Sequence, residues 1–196
     1  MVDSCLAKIK EEYVNSAAFH EAGHVVIAAL QGLWLRARGV HVDLEGNGIA
    51  YYGHRLPGDL SNSAEDQQER EKTIVALHAG RIAQVRVFPE CPDANWAGDE
   101  NVVRALLDEM YTTDLNVRSA AAQRLQQQAQ ELVWGHWAPI HSLATELLSK
   151  PSTEQPLIEI EENWSHGKTR LERWIPGSEV VQILRSYGIV AELRDV

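Results

Sequence analysis

The sequence predicts a mainly α (α+β) domain, a helical body with a small β-hairpin or sheet. Three observations predict it. Apolar residues recur with helical period in six stretches; one short region switches to strict alternation around a glycine-rich turn; and no apolar run approaches the roughly 20 residues of a membrane span. With 196 residues, the chain is read as a single domain over 1–196.

The first helix is expected from Asn15 to Leu30, with Asn15 or Ser16 as its cap and Phe19, Ala22, Val26, Ala29 or Leu30 and Leu33 on one stripe. Val40, Val42 and Leu44 then alternate with polar residues, Glu45-Gly46-Asn47-Gly48 turns the chain, and Ile49 to His54 returns as the second strand of a hairpin. Pro57-Gly58-Asp59 ends it. A second helix spans Thr73–Val87, with Ile74, Leu77, Ile82 and Val85 inward and Ala76, Ala79, Gly80 and Ala83 small enough for close approach; Phe88 to Asp93 breaks it. Val102, Val103, Leu106, Leu107 and Met110 mark one face of a third helix starting near Asp99. A fourth covers Val117–Trp134, and a fifth, with Pro139 in its first turn, runs to Lys150. Residues 151–170 read as a loop or insertion, in which only Leu157–Ile160 alternates, and a last helix is expected over Ser178–Tyr187, capped by Ser178.

Lys and Arg number 18 against 28 Asp and Glu, a formal charge of −10. That is the wrong sign for tracking phosphate backbones, so no nucleic-acid partner is expected. Two distant cysteines, Cys5 and Cys91, form neither a disulfide framework nor a cysteine metal cage. With no basic or apolar leader in Met1–Cys5 and no membrane span, the expected setting is reducing and cytoplasmic.

His20-Glu21-Ala22-Gly23-His24 reads H-E-x-x-H inside the first helix. Residues i and i+4 stack on one helical face about 5–6 Å apart, so two imidazoles can reach one Zn2+, and the intervening carboxylate stands beside them as a general base. With 8 His in 196 residues, chance produces this pattern only about 0.03 times per chain. Gly23 costs a helix interior about 1 kcal/mol relative to Ala, which implies a packing or functional reason. A third ligand is required. The extended form of the motif is absent, since Ile27 and Leu30 occupy the relevant positions, and Glu45, Glu65, Glu69 and Glu71 qualify by distance alone. His41, His54, His136, His141 and His166 read as surface or satisfied core groups, and Trp134 and Trp137 as core packing.

Ala18-Phe19-His20-Glu21-Ala22-Gly23-His24-Val25-Val26 resembles the zinc motif of the FtsH family of ATP-dependent metalloproteases. Ile74 to Gln84 is similar to that family's L-x-G-G-R-x-A-E helix, and Gly98 to Ala105 resembles the helix that supplies an aspartate as third ligand. The resemblance continues weakly through Ala129–Leu132 and Leu143–Leu148 to Gly177–Val180. It implies His20, His24 and Asp99 as metal ligands and Glu21 as catalytic base; Asp99, 75 residues after His24, is otherwise an ordinary helix cap.

Three departures stand out. Gln84 replaces a glutamate, His78-Ala79 replaces a bulkier residue followed by glycine, and Gly167-Lys168-Thr169 lacks the earlier glycine of a P-loop, position 162 being Glu. The resemblance therefore implies an FtsH-like zinc peptidase without its own ATPase, acting on unfolded or extended polypeptides; Gly48–Leu56 resembles that family's strand near the active site, and it either holds the substrate along its edge or is a purely structural hairpin strand. A homo-oligomer and a separate ATPase are the further partners it suggests. The rival reading is a catalytically silent, FtsH-like metal-binding scaffold or interaction domain.

Overall fold

Helix α1 (Val2–Leu30) is the axis of the fold, buried on every side from Ser16 to Ala29. The computed structural model describes residues 2–53, 63–90, 97–111, 114–156 and 169–194. Around α1 pack the helices α2 (Ala64–Val87), α4 (Leu115–Gly135) and α5 (Trp137–Ser149), while α3 (Ala97–Met110) lies against α2 and α4. Strands β1 (Leu35–Asp43) and β2 (Gly48–Tyr52) cover the remaining side of α1, and α6 (Gly177–Ser186) packs on β1. No helix among the described residues is long and apolar enough to cross a membrane.

The sheet runs β2-β1-β4-β3, with β3 (Thr153–Pro156) and β4 (Thr169–Ile175) antiparallel to their neighbours and β5 (Leu193–Arg194) parallel to β1. Val40 opposes Ile175 and Ala50, placing apolar residues on the face toward the helices; His41 opposes Trp174 on the other face. Gly39 has φ 69°, and a Cβ there would collide with the Ile175 carbonyl and lie 2.6 Å from Gly177 N. Only glycine lets β1 pass beneath the β4–α6 junction.

Several boundaries differ from the sequence expectation. α1 begins at Val2 rather than Asn15, and Asn15 and Ser16 lie in its interior. α2 starts at Ala64, capped by Ser63, whose Oγ accepts from Asp66 N at 3.1 Å. The extra segment of α2 is rich in Glu, Gln and Lys, which form helix well without an apolar stripe to announce it, whereas that of α1 carries Val2, Leu6, Ile9 and Tyr13 at helical spacing, a pattern that the expected start at Asn15 overlooks. α6 is preceded by Pro176, so Ser178 lies inside the helix and does not cap it. Strands β3, β4 and β5 replace part of the expected loop and tail, whereas Leu157–Ile160 and Pro57–Asp59 lie outside the described residues.

Two packing expectations are also corrected. Trp134 is 62% exposed, and Arg86 lies over its ring; Trp137 alone joins the interior, stacking on Phe19 at 5.7 Å. Val85 is exposed, and the buried side of α2 is instead Ile74 to Leu77, Ala79, Gly80, Ala83 and Gln84. Those small residues admit α1. A Cβ at Gly23 would lie 2.6 Å from the Ala79 carbonyl oxygen and 2.8 Å from Ala83 Cβ.

Candidate metal centre

His20 and His24 rise from adjacent turns of α1 toward α2, and both are nearly fully buried. His20 Nδ1 donates to Gln84 Oε1 at 2.9 Å, and His24 Nδ1 donates to the Ala76 carbonyl at 2.8 Å. With both Nδ1 atoms carrying protons, the Nε2 lone pairs turn inward, 2.9 Å apart. Asp99, in the first turn of α3, places Oδ2 3.0 Å from His20 Nε2 and 3.1 Å from His24 Nε2. An ion pair between Arg81 of α2 and Glu100 of α3, at 2.7 Å, ties the start of α3 beside the site.

This donor set fits a metal ion. Two imidazole Nε2 atoms and a carboxylate oxygen converge, and once the Nε2 positions carry no proton a cation between them turns mutual repulsion into attraction. All three atoms lie within 4.8 Å of one another, and among the described residues this is the group of such ligands that could hold an ion. Gly80 supplies the space: a Cβ there would collide with His24 Cε1 and lie 2.5 Å from His24 Nε2 and 2.9 Å from His20 Nε2. The Asp99 side chain is 26% exposed, so the group is reached from solvent on that side. Histidine and carboxylate ligands suit zinc, and the same set suits iron(II), so the donors alone do not name the metal.

In the metal-free chain the same convergence shifts protons. Burial pulls His24 down, but the carboxylates of Asp99 and Glu21 outweigh it and raise the imidazole to about 9. Burial pushes Asp99 up, yet the two histidines hold it well below the ordinary carboxylate range. Glu21 is raised: burial dominates, opposed by His20 and His24 and by the Ala50 N–H that it accepts. Gly48 makes room for this carboxylate, since a Cβ there would lie 2.5 Å from Glu21 Cγ.

The other third-ligand candidates lie elsewhere. Glu45 is in the exposed hairpin turn and Glu65 in the exposed first turn of α2. Glu69 pairs with Lys72 at 2.7 Å, and Glu71 with Arg124 at 2.6 Å. His41 and His136 bond within the protein and His141 is exposed; His54 and His166 lie outside the described residues. Asp99 occupies the first turn of α3 and not its cap position.

Sequence reasoning missed the roles of Ser16 and Tyr52 and noted Gln84 only as a departure from glutamate. Ser16 was expected as a cap, but accepts from Gln84 Nε2 at 3.2 Å. Gln84 serves as the acceptor for His20 despite lacking a charge. Tyr52 sets its ring 6.2 Å from that of His24, and burial raises its phenol well above the ordinary value, so it remains protonated. The signals for Ser16 and Gln84 were their helical offsets, four residues before His20 and four after Gly80. No family model matches the chain, and no curated protein matches it either.

Proposed function

We propose that the chain is a zinc-dependent peptidase that hydrolyses unfolded or extended polypeptides without ATP, built on the plan of the FtsH peptidase domain. The observation that carries this reading is the Glu21 carboxylate beside three converging ligand atoms, an arrangement that a purely structural metal site does not need. His20, His24 and Asp99 would hold the ion. Zinc there supplies Lewis acidity, polarising the scissile carbonyl and lowering the pKa of water toward about 7.

Glu21 takes a proton from the attacking water as the water oxygen bonds to the carbonyl carbon. It then passes that proton to the amide nitrogen as the C–N bond breaks, which closes the proton balance.

The substrate seat is the edge of β2. Gly53 N–H donates to the Trp34 carbonyl at 2.6 Å, on the β1 side, whereas Ala50 N–H turns the other way to Glu21. By strand alternation Tyr52 shares the outward side with Ala50, and Tyr51 faces β1. An extended polypeptide lying along that edge brings its main chain to Glu21.

The test is incubation of the zinc-loaded chain with an unfolded protein and with the same protein folded and ligand-stabilised, each with and without ATP. Cleavage of the unfolded form alone, independent of ATP, is the expected result, because opening a stable core costs several kcal/mol and this chain has no P-loop to supply it. Under this reading folded substrates require a separate ATPase. Tight zinc binding with no cleavage of any unfolded substrate would instead favour the silent scaffold.

A further inference from the structure

The proton on His20 Nδ1 is placed by an amide, and an amide has two unlike ends. Gln84 is 1% exposed and Ser16 fully buried. Gln84 Oε1 accepts from His20 Nδ1 at 2.9 Å while its Nε2 donates to Ser16 Oγ at 3.2 Å. Ser16 stands one turn before His20 on α1, and Gln84 one turn after Gly80 on α2, so the relay spans the two helices whose contact builds the site. A carboxamide turned end for end would offer N–H to His20, and the imidazole would answer with its other tautomer. Its Nε2–H would then point into the metal centre, where a lone pair is required.

We propose that Ser16 and Gln84 are positioning residues for the metal centre: Ser16 receives the donor end of the Gln84 amide, the amide thereby fixes the His20 tautomer, and the Nε2 lone pair stays aimed at the ion. This rests on the metal-binding reading of the site and not on peptidase activity. The relay explains how glutamine serves at position 84. A carboxylate accepts through both oxygens and needs no partner to set its direction, whereas an amide works only when something holds it the right way round. His24 has no such requirement, because its acceptor is the Ala76 backbone carbonyl, which cannot be reversed.

A double-mutant cycle on the full chain tests this, read as the zinc dissociation constant from competition with a chelator. Ser16→Ala weakens zinc binding about tenfold, the lower end of the effect of losing an outer partner of a ligating histidine. Gln84→Glu binds zinc at least as tightly as the wild type, and adding Ser16→Ala to Gln84→Glu changes affinity by less than about twofold. Alanine is smaller than serine and favours helix, so the Ser16→Ala fold is retained and is checked by circular dichroism.

Equal losses from Ser16→Ala in both backgrounds would mean that Ser16 acts through packing and would overturn the relay, as would no loss in either. Nitrogen-15 NMR of the metal-free chain supplies a reading independent of zinc. His20 is expected as the Nδ1–H tautomer in the wild type and as a mixture in Ser16→Ala; an unchanged tautomer in the variant overturns the proposal. Wild-type protein with no affinity for zinc overturns both the relay and the metal reading. Coupling in the cycle together with no cleavage of any polypeptide supports the relay and removes only the peptidase.

Discussion

His41 on β1 and the His20–His24 pair on α1 are buried to a similar degree, 7% against 3% and 4% exposed, and each faces a carboxylate. At His41 both ring nitrogens end on protein oxygens, Nδ1 2.8 Å from Glu172 Oε2 and Nε2 3.2 Å from the Arg38 carbonyl. At the α1 pair only the Nδ1 atoms end on outer acceptors, and the two Nε2 atoms face each other and Asp99. Burial and a nearby carboxylate therefore do not make a metal site. What distinguishes the α1 pair is that two Nε2 atoms and one carboxylate oxygen converge on one another, an arrangement that could hold an ion.

The largest effect is on metal retention. The wild-type chain is expected to keep about one zinc after dialysis, and His20→Ala, His24→Ala and Asp99→Ala each to lose it. His41→Ala keeps the zinc and costs about 1–3 kcal/mol of stability, because Glu172 loses its buried partner. Metal analysis and denaturant melts read both, and a full zinc complement in Asp99→Ala would move the third ligand elsewhere.

Next is Glu21→Gln, which removes a base and not a ligand. Zinc and fold should persist while peptide hydrolysis falls about 10²–10⁴-fold. Undiminished turnover by that variant would refute the assigned role.

A pair of glycine variants separates space for the ion from space for the helices. Gly80→Ala puts a methyl group against His24 and His20 and is expected to weaken zinc binding by at least about 10–100-fold, a loss beyond whatever the displaced imidazoles cost the metal-free melt. Gly23→Ala meets the α2 backbone instead, and overpacking there costs about 1–3 kcal/mol of stability. Strong zinc binding by folded Gly80→Ala would place the ion away from α2.

The smallest effect is a pH dependence confined to the metal-free form. His24 is raised from its ordinary 6.5 to about 9, so the stability it contributes is complete below about pH 6.5 and is lost as pH rises through about 9. Asp99 is lowered from 3.8, so its contribution holds above that value and is lost only as pH falls through its depressed folded value. Melting temperature with chelator should therefore decline from about pH 6.5 to 9, while saturating zinc, taking the place of the proton, removes the decline. Parallel curves with and without zinc would show that the ion does not sit on His24.

The amphipathic helices were the legible part of the fold. In α4 the buried Leu125, Ala129 and Val133 alternate with exposed glutamines, and the expected span of 117–134 differs from the observed Leu115–Gly135 by one or two residues at each end. β4 was illegible because Arg170, Glu172 and Arg173 give it little apolar alternation; it is a strand by virtue of its ladder with β1. Trp134 misled for a related reason. An aromatic residue is apolar by composition, but only the packing of α2 and α5 decides that Trp137 packs half-buried on Phe19 while Trp134 stays out.

At the site, H-E-x-x-H determined by itself that two imidazoles share one face of a helix with a carboxylate beside that face, because helical period is a local property of the backbone. Gly23 within it and Gly80 on α2 leave the room that lets the second helix approach. Asp99 was legible only through the family resemblance, and its meeting with the other groups of the centre comes from tertiary structure. Asp99 arrives from α3, Gln84 and the Ala76 carbonyl from α2, and the Ala50 N–H from β2, each far from the motif in sequence. No local pattern specifies such partners, since an imidazole's free nitrogen is defined by what its other nitrogen bonds, and here those bonds form only when α1 is packed against α2.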